Sequence, residues 1–148
     1  MCGIIGYTGD GYAPEILIQG LKKLEYRGYD SAGIAVSRAG ETVICKKRGK
    51  VEELEKKVQS VDFSDSHCGI GHTRWATHGE PSDVNSHPHS GGRRVTIVHN
   101  GIIENYLELK EELASKGLYP VSQTDTEIGA MLIESMYDGD PLSAIYGA

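Results

Sequence analysis

The chain has 148 residues, of which 39% are hydrophobic and 24% charged, and its formal net charge is −6. That length suits one domain with a real core, and the acidic balance argues against a nucleic-acid partner, the single Arg93-Arg94 pair notwithstanding. No apolar run approaches the roughly 20 residues that span a membrane, and no signal peptide precedes Cys2. Three cysteines at wide spacing do not form a disulfide framework, so a reducing cytoplasm is the expected compartment.

Cys2–Tyr7 reads as a first strand ending at the turn Gly9-Asp10-Gly11. Pro14 sits where a helix begins, and Leu17, Leu21 and Leu24 recur at helical spacing until Tyr26-Arg27-Gly28. Ala32–Val36 and Thr42–Lys46 are predicted strands joined through Arg38-Ala39-Gly40, and Val51, Leu54 and Val58 mark one face of a short helix. After the polar segment 60–66, Cys68–His72 is another short strand. A polar stretch follows from Thr73 to Gly92, and a loop of about 20 residues inside a compact domain is usually functional. Val95–His99 is a strand entering Asn100-Gly101. Asn105-x-x-Glu108 predicts a capped helix with Tyr106, Leu109 and Leu113 on its buried stripe, ending at Gly117. Thr124-x-x-Glu127 repeats the capping signature ahead of Ile128, Met131, Leu132 and Met136, and Pro141 opens a last helix after Asp138-Gly139-Asp140. Strands dominate the first hundred residues and capped helices follow, which predicts an α+β class rather than a βαβ repeat.

Four places could carry chemistry. Removal of Met1 would leave Cys2 with a thiol of pKa about 8.5 and an α-amine of pKa about 7.7–8.0, a nucleophile and a base on one residue. Dense polar groups fill His72-Thr73-Arg74-Trp75-Ala76-Thr77-His78-Gly79-Glu80, where Arg74 could grip a carboxylate with two hydrogen bonds and Trp75 could cover a pocket. Asn100-Gly101 at a strand end is either an oxyanion hole or the commonest tight-turn pair, and taken alone the turn is favoured. Asp125 in a first helical turn either binds an ammonium group or merely answers the helix dipole, and taken alone the dipole is favoured. Histidines 72, 78, 87 and 89 with Cys68 match no zinc spacing. Cys45 and Cys68 read as packed small hydrophobes. Neither a Walker loop nor a G-x-G-x-x-G run is present, so no nucleotide site is expected.

Taken together the segments resemble one family. Met1-Cys2-Gly3-Ile4, Glu25-Tyr26-Arg27-Gly28-Tyr29-Asp30-Ser31-Ala32-Gly33, the run from His72 to Gly79, His99-Asn100-Gly101-Ile102-Ile103-Glu104-Asn105 and Ser122-Gln123-Thr124-Asp125-Thr126-Glu127 occur in that order. They are similar to the glutaminase domain of the glutamine–fructose-6-phosphate aminotransferases (isomerising), or glucosamine-6-phosphate synthases. Those enzymes are class II glutamine amidotransferases of the N-terminal nucleophile hydrolase fold, an αββα sandwich. Sister amidotransferases usually carry His-Arg-Gly where this chain has Tyr26-Arg27-Gly28, and they lack the Arg74–Gly79 run.

The resemblance implies Cys2 as nucleophile, with Asn100 and the Gly101 N–H as oxyanion hole. It implies Arg74 on the α-carboxylate of L-glutamine and Asp125 on its α-ammonium. Trp75, Thr77 and His78 would line the pocket, and Arg27 and Gly28 would support the nucleophile. No cofactor and no metal are implied. Ammonia would pass to a fructose-6-phosphate isomerase domain absent from these residues, in a parent that is a homo-oligomer. The family's glutaminase domain continues well past Ala148, so residues 1–148 are expected to form an incomplete domain whose sandwich lacks part of its second half. The alternatives are a catalytically silent glutamine-binding or interaction module, a histidine-cluster metal protein, or the glutaminase domain of a sister amidotransferase.

Overall fold

The computed structural model describes residues 2–148. The removal of Met1 expected from the sequence lies outside the described residues. Four antiparallel strands form the main sheet in the order β1-β4-β2-β3: β1 Gly3–Thr8, β2 Ser31–Arg38, β3 Glu41–Arg48 and β4 Cys68–Arg74. β2 and β3 are a hairpin closed by Ala39 (φ 49°) and Gly40 (φ 84°), the left-handed pair that a two-residue turn requires. β1 reaches the sheet by pairing with β4, Gly3 opposite Thr73 and Ile4 opposite His72.

Strand alternation sorts the two faces of this sheet. Ala32, Ile34 and Val36 turn toward α1 (Ala13–Leu24) and α2 (Val51–Val58), where Leu17, Leu21, Val51, Leu54 and Phe63 complete a dry core. Gly69 and Gly71 of β4 lie on that same face. A Cβ at Gly69 would come within 2.9 Å of Leu17 Cδ1, so α1 packs close because these positions are empty. The opposite register of β4 carries Ile70, His72 and Arg74 away from the helices. Gly3 also faces the helices, with Leu24 Cδ1 2.8 Å from where its Cβ would be, so Cys2 is turned to the same side as His72 and Arg74.

That second face is covered by the stretch after β4. A Cβ on Gly33 would lie 2.1 Å from the His87 carbonyl oxygen, so the chain at His87 rests directly on β2. Farther out, β5 (His89–Ser90) pairs with β6 (Thr96–Ile97), and α4 (Asp125–Met136) packs behind them, with α3 (Tyr106–Ser115) and α5 (Pro141–Gly147) alongside. Leu113, Ile128 and Met131 form the small apolar core of that layer. The order is helices, sheet, ribbon with polar loop, helices: an α+β architecture layered around two sheets of unequal size.

Several expectations are corrected. The strand expected over Val95–His99 contracts to Thr96–Ile97. Asn105 precedes α3 but its side chain makes no capping bond, and of the expected stripe only Leu113 is fully buried. Thr124 does cap α4, its hydroxyl accepting from the Glu127 N–H at 3.3 Å. The Glu127 carboxylate accepts from Val121 and Ser122 N–H groups rather than closing the box on Thr124. Cys45 is buried as expected, whereas Cys68 is exposed, at the start of β4 on the face turned away from the helices.

Candidate active site

A cavity of about 400 Å³ opens where β1 begins and β4 ends, on the sheet face away from α1 and α2. Cys2, Arg27, Arg74, Trp75, Thr77, His78, Asn100, Gly101 and Asp125 all line it. Gly28 (φ 75°) stands just outside: a Cβ there would meet the Trp75 ring at 3.3 Å, so glycine lets the indole settle against the backbone. Every residue to which the resemblance gave a role is thus in the cavity wall or directly behind it.

Cys2 Sγ is held by the backbone of the opposite strand end, the Trp75 N–H donating to it at 3.1 Å. Asp30 fixes that backbone. Its own N–H donates to the Arg74 carbonyl at 2.7 Å, and its carboxylate accepts from Ala76 N–H at 2.5 Å and Ser31 Oγ at 2.9 Å. Asp30 had no role assigned from the sequence, although it lies inside one of the ordered motifs.

Arg74 is 3% exposed, and its Nη2 donates to the carbonyls of His78 and, at 3.0 Å, Gly79. Its Nη1 is buried without a protein partner. Burial lowers its pKa, opposed by Asp30, Cys2 and Asp125 nearby, yet no carboxylate of the described residues forms an ion pair with it. A buried guanidinium with a spare donor is costly unless an anion completes it. Across the cavity, Asp125 is 4% exposed at the first turn of α4. It accepts from Ile103 N–H at 2.8 Å and Thr126 N–H at 2.9 Å. A cation-seeking carboxylate and an anion-seeking guanidinium therefore share one wall system, as an amino-acid headgroup would require.

Asn100 and Gly101 both lack the positive φ of a tight Asn-Gly turn, so the turn favoured on local grounds is not what they form. Asn100 Oδ1 lies 2.8 Å from His72 Nε2. A Cβ on Gly101 would sit 2.7 Å from His99 Nε2, so the loop passes tightly over that ring. His72 is fully buried, stacked at 4.2 Å on His87, and burial pushes its pKa down to about 4 despite the opposing pull of the Asn100 bond. His87 also lines the cavity, and burial followed by the neighbouring His72 pushes its pKa down further still. His78 meets the edge of Tyr106 at 5.1 Å. Among the described residues no three His, Cys, Asp or Glu side chains are placed to hold a metal ion.

A cysteine at the head of the first strand, an Asn-Gly pair, a buried guanidinium and a buried carboxylate share one cavity, an arrangement that can hold an amino-acid headgroup and present a thiol to its side chain. The comparisons with known proteins agree, and the chain belongs to the glutamine amidotransferase domain family, which matches over residues 59–140. It is 54% identical over 146 residues to the glutamine–fructose-6-phosphate aminotransferase (isomerizing) of Caldanaerobacter subterraneus, covering 98% of this chain and 24% of that one. It is 56% identical over 135 residues to the protein of the same name from Staphylococcus aureus, covering 90% of this chain and 22% of that one. The chain thus spans about a quarter of the length of these relatives. Among solved structures, the glutamine phosphoribosylpyrophosphate amidotransferase of B. subtilis superposes with a TM-score of 0.77 at 28% identity, over 99% of this chain and 32% of that one. The allosteric regulatory enzyme of purine biosynthesis gives 0.79 at 27% identity, again over 99% and 32%. The α+β fold is that of these amidotransferases.

Proposed function

We propose that residues 1–148 are the glutaminase portion of a longer enzyme that makes glucosamine 6-phosphate from fructose 6-phosphate and glutamine. The observation that carries this reading is that Cys2, Asn100-Gly101, Arg74 and Asp125 line one cavity of amino-acid size. The similarity to glutamine–fructose-6-phosphate aminotransferases over nearly the whole chain supports the choice of parent. On this reading the ammonia passes to a sugar-isomerase portion outside these residues, in a cytoplasmic homo-oligomer.

With Met1 removed, the Cys2 α-amine takes the thiol proton and the sulfur attacks the side-chain amide carbon of glutamine. The Arg74 guanidinium holds the α-carboxylate, and Asp125, which has lone pairs left after its two backbone bonds, holds the α-ammonium. Negative charge then builds on the former carbonyl oxygen, where the Asn100 Nδ2 and the Gly101 N–H donate to it; such donors count because they bind the transition state better than the substrate. The amine returns the proton to the departing nitrogen, the C–N bond breaks, and ammonia leaves a γ-glutamyl thioester on Cys2. Water, deprotonated by the same amine, attacks the thioester and releases glutamate with the thiol restored. Trp75, Thr77 and His78 close over the bound side chain, while Arg27 and Gly28 support the nucleophile and the indole. Every proton transfer uses a group within the chain.

The test is glutamate release from glutamine by the processed chain beginning at Cys2. Cys2→Ala should abolish it, and ammonia production that survives in that variant would remove the mechanism. Glutamine binding with no product from the unaltered processed chain would instead establish a silent binding module.

A further inference from the structure

We propose that His72 is a positioning residue for the oxyanion hole, its Nε2–H donating to Asn100 Oδ1 and so turning the Asn100 Nδ2 toward the sulfur of Cys2. The inference rests on the reading of Asn100 as an oxyanion donor.

A carboxamide has two faces of similar shape and opposite polarity, and the partner on one side decides which face is left for the other. If His72 Nε2 carries the proton, it must meet Asn100 Oδ1, and the NH₂ group faces the cavity. If Nε2 is bare, the amide turns over and aims a carbonyl oxygen at the place where negative charge develops. The choice between a catalytic and a repulsive Asn100 is therefore a choice between two histidine tautomers.

The surroundings select the first. His72 Nδ1 is buried with no hydrogen-bond partner, so a proton there would be an unsatisfied buried N–H, whereas Nε2 meets the Asn100 oxygen at 2.8 Å. A bare Nδ1 lone pair leaves no orphan donor. The ring is also prevented from turning over to exchange its nitrogens. His87 stacks on it with 16° between the planes, and the His87 carbonyl is seated on Gly33, where no side chain intervenes. On its own strand, His72 precedes Arg74 by two residues, which places the guanidinium and the amide-orienting imidazole on one face of β4. Protonation of both nitrogens is disfavoured by burial, which outweighs the hydrogen bonds to the Asn100 side chain and the His99 backbone that favour it, and by the Arg74 cation nearby.

His72→Phe keeps a ring in the stack and removes the donor; His72→Gln supplies an amide N–H at nearly the Nε2 position. In the processed chain, His72→Phe is expected to lower kcat for glutamine hydrolysis by about tenfold to a hundredfold, short of the roughly 10²–10³ for deleting an oxyanion donor outright. KM should stay within about twofold, and His72→Gln should recover most of the loss. A wild-type kcat in His72→Phe, or a loss that lies in KM, overturns the proposal. The tautomer is read separately, without turnover, from the ring ¹⁵N shifts of His72 near neutral pH. A neutral Nε2–H form is expected, and an Nδ1–H or doubly protonated ring overturns the proposal even if the variants fail to fold. Cys2→Ala tests the underlying functional reading by itself, so the two can fail independently.

Discussion

The Trp75 backbone N–H donates to Cys2 Sγ at 3.1 Å, while the Trp75 indole is 54% exposed. One residue thus divides its work: the peptide holds the sulfur and the ring covers the cavity. Trp75→Ala keeps the peptide and removes the cover. Its expected effect is a KM for glutamine raised about threefold to tenfold, in line with losing part of the roughly 1.5–3 kcal/mol of a buried apolar side chain. Iodoacetamide should still alkylate Cys2 at least as fast as before. The rates are read by peptide mass spectrometry in a Cys68→Ser background, since Cys68 is exposed and Cys45 is buried. A collapse of Cys2 reactivity would show that the indole, not the peptide, sets the thiol.

Arg74 meets the proposed carboxylate with a planar fork, two carbonyl bonds on one nitrogen and a partnerless donor on the other. Lysine keeps the charge but cannot serve both partners from a fixed plane. Arg74→Lys is expected to raise KM about tenfold to a hundredfold, the equivalent of one charge-assisted hydrogen bond at about 1.5–3 kcal/mol, with kcat lowered less. Steady-state kinetics against glutamine check this. An unchanged KM would mean that the guanidinium binds only its own loop.

The fold was legible where apolar residues carry the signal. Ala32, Ile34 and Val36 alternate against the helices, Leu17 and Leu21 recur on one helical face, and Ala39-Gly40 turns the hairpin. Illegible was the layer between the sheets, because periodicity reads apolar residues and this layer is polar. Asn85, His87 and His89 are buried there on hydrogen bonds and ring contacts. Asn85, for one, accepts from Gln123 N–H at 2.9 Å and so ties the loop to the start of α4. Asn105 misled for a related reason: a capping residue is recognised by type, whereas a cap is a geometry. In the site, the ordered motifs named Arg74, Asn100, Gly101 and Asp125, while local rules favoured a turn for one pair and a dipole effect for the last. His72 was weighed only as a metal ligand, though its spacing of two from Arg74 on a strand placed it on the same face.

Asp125 serves two ends at once. One oxygen accepts the Ile103 N–H at 2.8 Å, two residues past Gly101, so the carboxylate anchors the loop that carries the oxyanion donors. Asp125→Asn removes the charge that would hold the α-ammonium but leaves an amide oxygen able to accept from Ile103. Asp125→Ala removes both. KM should therefore rise in both variants by about tenfold or more, whereas kcat should fall markedly only in Asp125→Ala. Equal kcat values in the two variants would sever Asp125 from the oxyanion loop.

Three buried rings give the fold an acid limit. Burial first, with neighbouring cations such as Arg74 and Lys46 adding to it, pushes His72 down to about 4 and His89 to about 3, and pushes His87 down as well. In the unfolded chain each ring titrates near its ordinary value of 6.5. Between these values the unfolded chain binds more protons than the folded one, so stability is complete above about pH 6.5 and falls as the pH drops toward the folded pKa values. Glu134 and Asp83 are also held below their ordinary values of 4.5 and 3.8, and their contribution is lost only in that lower range. The window from about pH 6.5 to 5 therefore isolates the histidines, with a loss of up to about 2 kcal/mol for each ring. The urea midpoint of the chain should drop measurably across that window. His87→Phe, which keeps a ring against His72, should flatten the decline by about a third. A midpoint constant from pH 7 to pH 5 would mean that the stacked rings take up protons without opening the structure.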